Sequence, residues 1–277
     1  MQICDLHKSL MPDRKIMRTR QKGLMDRITV ITVCYNESPQ RISYTLDSIV
    51  KQTYAVVELV IMDGGSKDDT IAAIKHYITH ITTFVSEPDH GIYDAMNKGI
   101  RLSTGEWIIF MNVGDRFHHQ DVLTSMMSNS DINDLDMIYG DILRNGREIS
   151  SAPSCLSRRY LYNQAICHQA MLVRRRAFDL MGAFDISFRL IADRDWVLRF
   201  VNSGYAYAHV PAAVCDWENG GTSSDYITHG EEEHAYHLKY FSFLERKVYG
   251  TLWVVIKVLR RIRSLNFSVP VRVRDRF

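Results

Sequence analysis

No stretch of the 277 residues is apolar for the roughly 18–20 positions that a membrane-spanning helix needs; the purest apolar run near the C-terminus is only Leu252 to Ile256. The N-terminus also lacks the continuous apolar segment of a secretory signal, so no part of the chain is expected to cross a bilayer as a helix. Cysteine is sparse. Cys4, Cys34, Cys155, Cys167 and Cys215 are odd in number, widely spaced and form no CxxC, which suggests neither a disulfide framework nor a zinc knuckle and fits a reducing cytosol. An internal repeat of roughly 20–50 residues and low-complexity tracts are both missing, which sets aside solenoids and disordered linkers. The net charge is only +2, which argues against a dedicated nucleic-acid binder.

What is present fits a globular enzyme-sized domain. With 46% hydrophobic and 24% charged residues, the chain can bury a sizeable core as one large domain or one plus a small appendage. The small net charge hides an asymmetry. Residues 1–27 hold seven basic and three acidic side chains (+4) and residues 244–277 hold nine and two (+7), which leaves the middle at −9.

From residue 28 the pattern becomes regular. Ile28 to Cys34 reads as a buried strand, followed by a helix with Ile42, Leu46, Ile49 and Val50 on one face. Val56 to Met62 reads as a second strand, and Ser66 with Asp69 suggests a capping box for a helix from Lys67 to about Tyr77. A short strand at Ile81–Ser86, a helix across Gly91–Ser103 and a strong strand at Glu106–Met111 follow. This alternation predicts right-handed βαβ crossovers, an α/β fold and a mainly parallel sheet flanked by helices. Further strands are expected near Met137–Tyr139 and Ala170–Val173, with helices near Arg175–Met181 and Asp193–Asn202. Residues from His229 to Arg263 read as helical with a break near Gly250.

Ligands of such sheets bind beyond the carboxyl ends of the strands, and polar clusters stand there. Asp63, with two glycines after it, could accept hydrogen bonds from a base or ribose; Asp-Gly-Gly is equally an ordinary turn. Asp115, after the strongest strand, suits Mg²⁺ or Mn²⁺ shared with substrate phosphates. His118 and His119 read more simply as solvated loop residues. Asp193 and Asp195 favourably face a helix dipole, and a carboxylate so placed can also act as general base. His168-Gln169, Trp217 and the loop Asn219 to Ser224 could shape an acceptor pocket.

The order ITVITVCYNE, IMDGGSKDDT, SEPDHGIYDAMNKGI and GEWIIFMNVGDRF resembles the family 2 glycosyltransferases, most closely those that assemble bacterial colanic acid, capsule and other exopolysaccharide units. The resemblance covers roughly residues 28–225. It implies a GT-A fold and an inverting transfer from a nucleotide-sugar, by inference a UDP-sugar, to an acceptor hydroxyl, of hexosyl or N-acetylhexosaminyl type. Carried over by position, it assigns Thr32, Tyr35, Asn36, Glu37, Asp63 and Gly64 to the nucleotide and Asp94, Asn97 and Lys98 to the nucleotide-sugar site. Asp115 falls to the metal, and Asp193 to proton abstraction with Asp195 in support. His168, Gln169, Gly220 and Gly221 align with recurrent motifs. Two departures stand out: the metal motif Asn112-Val113-Gly114-Asp115 holds one carboxylate where many members have two, and Ala192 replaces the usual acid before the base.

Residues 245–263 place Leu252, Trp253, Val255, Ile256 and Leu259 among Lys247, Lys257, Arg260, Arg261 and Arg263, the pattern of an interfacial helix or of one packed on the domain. The expected organisation is a basic extension over 1–27, a catalytic domain over 28–228 (nucleotide half 28–115, acceptor half 116–228) and a helical basic extension over 229–277. The partners expected are a nucleotide-sugar, a lipid-linked glycan acceptor and the anionic cytoplasmic face of a bacterial inner membrane. A non-catalytic scaffold on a degenerate transferase fold is the alternative, and paired-carboxylate hydrolysis the enzymatic rival.

Overall fold

The β-branched run expected to be a strand forms β1 (Ile28–Cys34), and all seven of its residues are buried. In the computed structural model of the chain, which describes residues 25–128, 132–217 and 226–266, β1 lies well inside a single sheet. β2 (Val57–Asp63), β3 (Thr83–Ser86) and β4 (Trp107–Phe110) join it, followed in the chain by β5 (Arg116–Phe117), β6 (Met137–Arg144), β7 (Glu148–Ser150), β8 (Met171–Arg174) and β9 (Tyr207–Trp217). The strand order is β3-β2-β1-β4-β8-β6-β9-β5 with β7 on β6. The pairs among the first four strands are parallel. Their register sets Cys34 beside Asp63 and Ile31 beside Phe110, so the loops after β1, β2 and β4 open at one edge.

Alternate residues of β1 and β4 enter different cores, as the two-residue period of a strand requires. Ile31, Val33, Ile108 and Phe110 pack with α3 (Ile92–Leu102) and α7 (Ala192–Asn202). Ile28, Val30 and Ile109 pack with α1 (Pro39–Val50), α2 (Thr70–Lys75) and α4 (Val122–Met127). Burying such an aliphatic side chain contributes about 1.5–3 kcal/mol, so this two-faced packing is what drives the layering. Gly99 of α3 sits so close to β1 that a Cβ there would meet Ile31 Cγ2 at 2.5 Å.

Beyond β4 the sheet becomes mixed. β8 (Met171–Arg174) runs antiparallel to β4 and to β6 (Met137–Arg144), while β9 (Tyr207–Trp217) is parallel to β6. β5 (Arg116–Phe117) pairs with β9, and β7 (Glu148–Ser150) with β6. Sequence periodicity does not show β9. It contains Pro211, and its register against β6 slips around Gly140 and Asp141, so no clean alternation survives.

Two local readings need correction. Ser66 does not cap a helix at Lys67: its hydroxyl donates to Asp63, and α2 starts at Thr70 with Asp69 as an N-cap that makes no side-chain bond. The C-terminal break lies at Phe241–Ser242, between α8 (Tyr226–Tyr240) and α9 (Phe243–Asn266), and Gly250 is inside α9. A capping box explains it: Ser242 N donates to Glu245 Oε2 at 2.9 Å while Glu245 N donates to Ser242 Oγ at 3.3 Å.

The first part of this extension is fastened to the domain. Tyr236 is fully buried, Glu232 accepts from the backbone amides of Arg189, Leu190 and Ile191, and Arg158 of α5 (Arg158–Asn163) pairs with Glu245 at 3.1 Å. Tyr249 stacks edge-on to Tyr162. Beyond it, Leu252 to Val255, Val258 and Leu259 of α9 are exposed. Among the described residues no helix is long and apolar enough to cross a membrane.

Candidate active site

The loops at the open sheet edge, the start of α3, the turn before β8, the start of α7 and the inner face of α9 enclose a cavity of 1410 Å³. Antiparallel pairing puts the N-terminal end of β8 beside the C-terminal end of β4. That is why His168 and Gln169, in the helical turn leading into β8, stand over Asn112 to Asp115.

The two residues each hold one of the candidate acids. Gln169 Nε2 donates to Asp115 Oδ2 at 2.5 Å, and His168 Nδ1 lies 3.3 Å from Asp193 Oδ2. His168 Nε2 lies 3.0 Å from Asn112 Nδ2, and the Tyr93 hydroxyl donates to Asp193 Oδ1 at 3.1 Å. Burial disfavours the His168 imidazolium, but the hydrogen bond and charge of Asp193, with Cys167 and Asp115 adding, hold its pKa above the ordinary histidine range. Burial, reinforced by Asp193, pushes the Tyr93 phenol well up, so it remains a neutral donor.

In the loop after β1, Tyr35 and Glu37 line the cavity, with Asn36 between them. Asn36 adopts φ 50°, a left-handed conformation that asparagine tolerates. Its Oδ1 accepts from Lys67 N at 3.1 Å, and its own N donates to Ser66 Oγ at 2.8 Å. The Asp63 carboxylate is turned into this junction, 1% exposed, accepting from Ser66 N at 2.9 Å and Ser86 Oγ at 2.6 Å. Gly64 lies between Tyr35 and Asp89, with no room for a Cβ. Arg41 donates to Glu37 Oε2 at 2.7 Å and to Val113 O at 3.3 Å, and covers Gly114.

Tyr35, Glu37, Asp115, His168, Gln169, Asp193 and Trp217 of the expected residues line the cavity. Others stand behind it. The Thr32 hydroxyl is buried with no hydrogen-bond partner, on the β1 face shared with Val30 and Cys34. Asn97 clamps the backbone of Phe184 through both amide atoms, at 2.9 and 3.0 Å. Lys98 binds Pro88 O at 2.8 Å and Glu87 at 2.9 Å, and Asp94 accepts from His90 N at 3.0 Å, so these two brace the loop that carries Asp89.

Asp195 does not support Asp193. Residues two apart on a helix point about 200° from one another. Asp195, 0% exposed, is bonded instead to Arg199 at 2.9 Å, Lys239 at 3.2 Å and the Tyr240 hydroxyl at 2.6 Å, which ties α7 to α8. His118 pairs with buried Asp216 at 2.5 Å, and Gly220 and Gly221 lie outside the described residues. Sequence reading did not single out Tyr93 or Arg41 as lining residues and held Asp89 only within the polar cluster Glu87 to His90 at a strand end. For Arg41 the i,i+4 spacing from Glu37 offered a signal.

A metal fits this site in one way. Among the described residues no three His, Cys, Asp or Glu side chains form a ready-made cage. Asp115, however, presents a carboxylate, and Asn112 Oδ1 is a buried oxygen without a partner. Hard oxygen donors of this number suit a cation that arrives with diphosphate oxygens.

Residues 29–181 match the family model described as glycosyl transferase family 2. The chain belongs to that family. This family 2 glycosyltransferase is 32% identical over 189 residues to the PGL/p-HBAD biosynthesis glycosyltransferase of Mycobacterium tuberculosis, covering 66% of this chain and 73% of that protein. Its fold matches S. aureus TarS 1-349 in complex with UDP-GlcNAc (TM-score 0.60, 19% identity, 72% of this chain and 61% of that one). It also matches the mannosyltransferase PcManGT from Pyrobaculum calidifontis in complex with GDP-Man and Mn²⁺ (TM-score 0.55, 21% identity, 78% and 63%). The chain thus spans less than two thirds of either solved chain, and at these identities the likeness is one of fold, the GT-A architecture.

Proposed function

We propose that this family 2 glycosyltransferase inverts the anomeric centre as it moves a sugar from a nucleotide-sugar, by preference a UDP-sugar, to a glycan hydroxyl. The observation that carries the reading is that Asp115 and Asp193 line one cavity and are held by the adjacent residues Gln169 and His168. The complexes of TarS with UDP-GlcNAc and of PcManGT with GDP-Man support a nucleotide-sugar donor, and the first of them the preference for UDP.

In this reading Tyr35, Glu37 and the turns of Asn36 and Gly64 receive the nucleotide, with Asp63 fixing those turns. Asp193 accepts the proton of the acceptor hydroxyl while its oxygen attacks the anomeric carbon from the face opposite the diphosphate. The bond to the diphosphate breaks as the new glycosidic bond forms. Tyr93 and His168 hold the Asp193 carboxylate in place. A divalent cation, Mg²⁺ or Mn²⁺, held by Asp115 would neutralise the charge growing on the departing diphosphate.

The acceptor is read as a lipid-linked glycan of bacterial cell-surface polysaccharide synthesis, presented at the cytoplasmic face of the inner membrane. The exposed apolar residues of α9 beside the cavity support peripheral attachment there. The test is thermal stabilisation across a panel of UDP- and GDP-sugars with Mn²⁺. A bound donor at about 100 times its Kd stabilises by about 2.7 kcal/mol, and a flat response to the panel would reject the donor reading. Turnover of the donor separates the transferase from the non-catalytic scaffold.

A further inference from the structure

The turn before β8 carries a third side chain to the cavity. Cys167 lines it beside His168 and Gln169, and its thiol donates to Gln169 Oε1 at 2.7 Å. The same amide donates from Nε2 to Asp115 Oδ2 at 2.5 Å. Gln169 is 4% exposed and Asp115 8%, so water does not readily replace either contact. Behind Cys167 stands Cys215 of β9, fully buried and paired across the ladder with Phe117, two residues after Asp115. Both cysteines are free, and a hydrogen bond joins their sulfurs. That bond lowers the pKa of Cys167 and, with burial, raises that of Cys215 well above the ordinary thiol range. These are the signs expected when the Cys215 S–H donates to the Cys167 sulfur.

The donors therefore run head to tail, from Cys215 to Cys167, from Cys167 to Gln169 and from Gln169 to Asp115. A thiol is a weak donor, but here it decides between two arrangements. A primary amide fits the same space either way round. Reversed, Gln169 would turn its oxygen on the Asp115 carboxylate, and the two would repel. A thiol proton at Oε1 favours the orientation in which Nε2 meets the carboxylate. The Asp115 main chain is held separately, with Thr45 Oγ1 donating to its carbonyl oxygen at 2.7 Å. The amide thus acts on the carboxylate rather than on the loop. The direction of that carboxylate matters more here than in a motif with two acids, because Asn112 to Asp115 offers only one carboxylate and one side-chain amide oxygen.

Resting on the reading of Asp115 as the metal acid, we propose that Cys167 is a positioning residue: through the Gln169 amide it aims Asp115 at a divalent cation, and Cys215 fixes Cys167 in turn. The sulfur acts through the amide and is neither nucleophile nor metal ligand. Removing a partner that stands directly behind a metal ligand typically costs roughly 10–100-fold in metal affinity. Cys167 stands one hydrogen bond further back, so its effect belongs at the low end of that range.

Calorimetric UDP titrations of the full chain across a series of Mn²⁺ concentrations test this. For Cys167→Ala the Mn²⁺ concentration that half-supports UDP binding should rise about tenfold, with UDP affinity in EDTA unchanged. Cys167→Ser keeps a donor at that position and should stay within about threefold of wild type. A Cys167→Ala midpoint equal to wild type, or a Cys167→Ser midpoint shifted as far as that of Cys167→Ala, would overturn the proposal. An equal loss of UDP affinity in EDTA would overturn it too, since damage to the cavity rather than the aim of Asp115 would then be the cause. Wild-type UDP binding that ignores Mn²⁺ would overturn the metal reading of Asp115, and a wild-type chain that binds no UDP would overturn the donor reading. Both of those failures show before any variant is compared.

Discussion

Asp193 Oδ2 stands 3.3 Å from His168 Nδ1, and the other nitrogen of the same ring stands 3.0 Å from Asn112 Nδ2. The imidazole therefore spans from the loop carrying the candidate metal ligand to the candidate base. Replacing His168 by Ala removes one of two side chains that orient Asp193. A fall in kcat of about tenfold is expected, smaller than the roughly 10²–10⁴ that removal of a general base itself costs. Donor affinity, read by UDP titration, should not move.

Asp193 and Asp195 should separate cleanly. Asp195→Asn leaves Arg199 and Lys239 without their shared carboxylate and should destabilise the fold by about 3 kcal/mol, the lower end for a broken buried pair because both cations keep contact with water. Asp193→Asn should leave the denaturation midpoint nearly unchanged. Urea unfolding of the two variants checks this, and equal losses would contradict the division of labour.

Gly114 has φ 104°, and a Cβ there would fall 1.9 Å from Arg41 Nη2. Gly114→Ala must strain the backbone, at about 1–2 kcal/mol for a left-handed residue with a side chain, and displace the guanidinium that braces Glu37. Weaker UDP binding with little change in the acceptor KM is the expected outcome of paired titrations.

The Lys239 hydrogen bond lowers the Asp185 pKa from 3.8 to about 2. A depressed folded-state pKa means stability that is present above pH 4 and lost as pH falls toward 2. The stability difference between wild type and Asp185→Asn, followed by denaturant midpoints, should shrink over that window. A difference that is constant from pH 6 to pH 2 would contradict the ion pair.

The first half of the fold is legible because each strand from β1 to β4 is a short apolar run closed by a polar cluster, and residues of those clusters line the cavity. The second half is not, for reasons visible in particular residues. Pro211 and the slipped register of β9 erase its period. The capping box at Ser242 and Glu245, rather than Gly250, divides the last two helices. Of the site, the acids at strand and helix ends are readable as types. Which way each points is decided by packing: Asn97 and Asp195 face neighbouring backbone and helix, whereas Tyr93, indistinguishable in sequence from a core aromatic, reaches Asp193.

Helix α9 is anchored through Glu245 and Tyr249, so a truncation that tests membrane attachment must spare them. Removal of residues 251–277 should shift the chain from the pellet to the supernatant in sedimentation with phosphatidylglycerol vesicles. Each lost Lys or Arg near such a surface costs about 1 kcal/mol of attraction. UDP binding should persist, and continued sedimentation would contradict the attachment.

The transfer assay itself bears most directly on the central claim. Labelled sugar from the stabilising donor is followed into the lipid-extractable fraction of membranes, with wild type, Asp193→Asn and Asp115→Ala compared at matched folded concentration. The account predicts a loss of about 10² or more for Asp193→Asn with UDP affinity retained, and a comparable loss for Asp115→Ala. Near-normal turnover in both variants would contradict it.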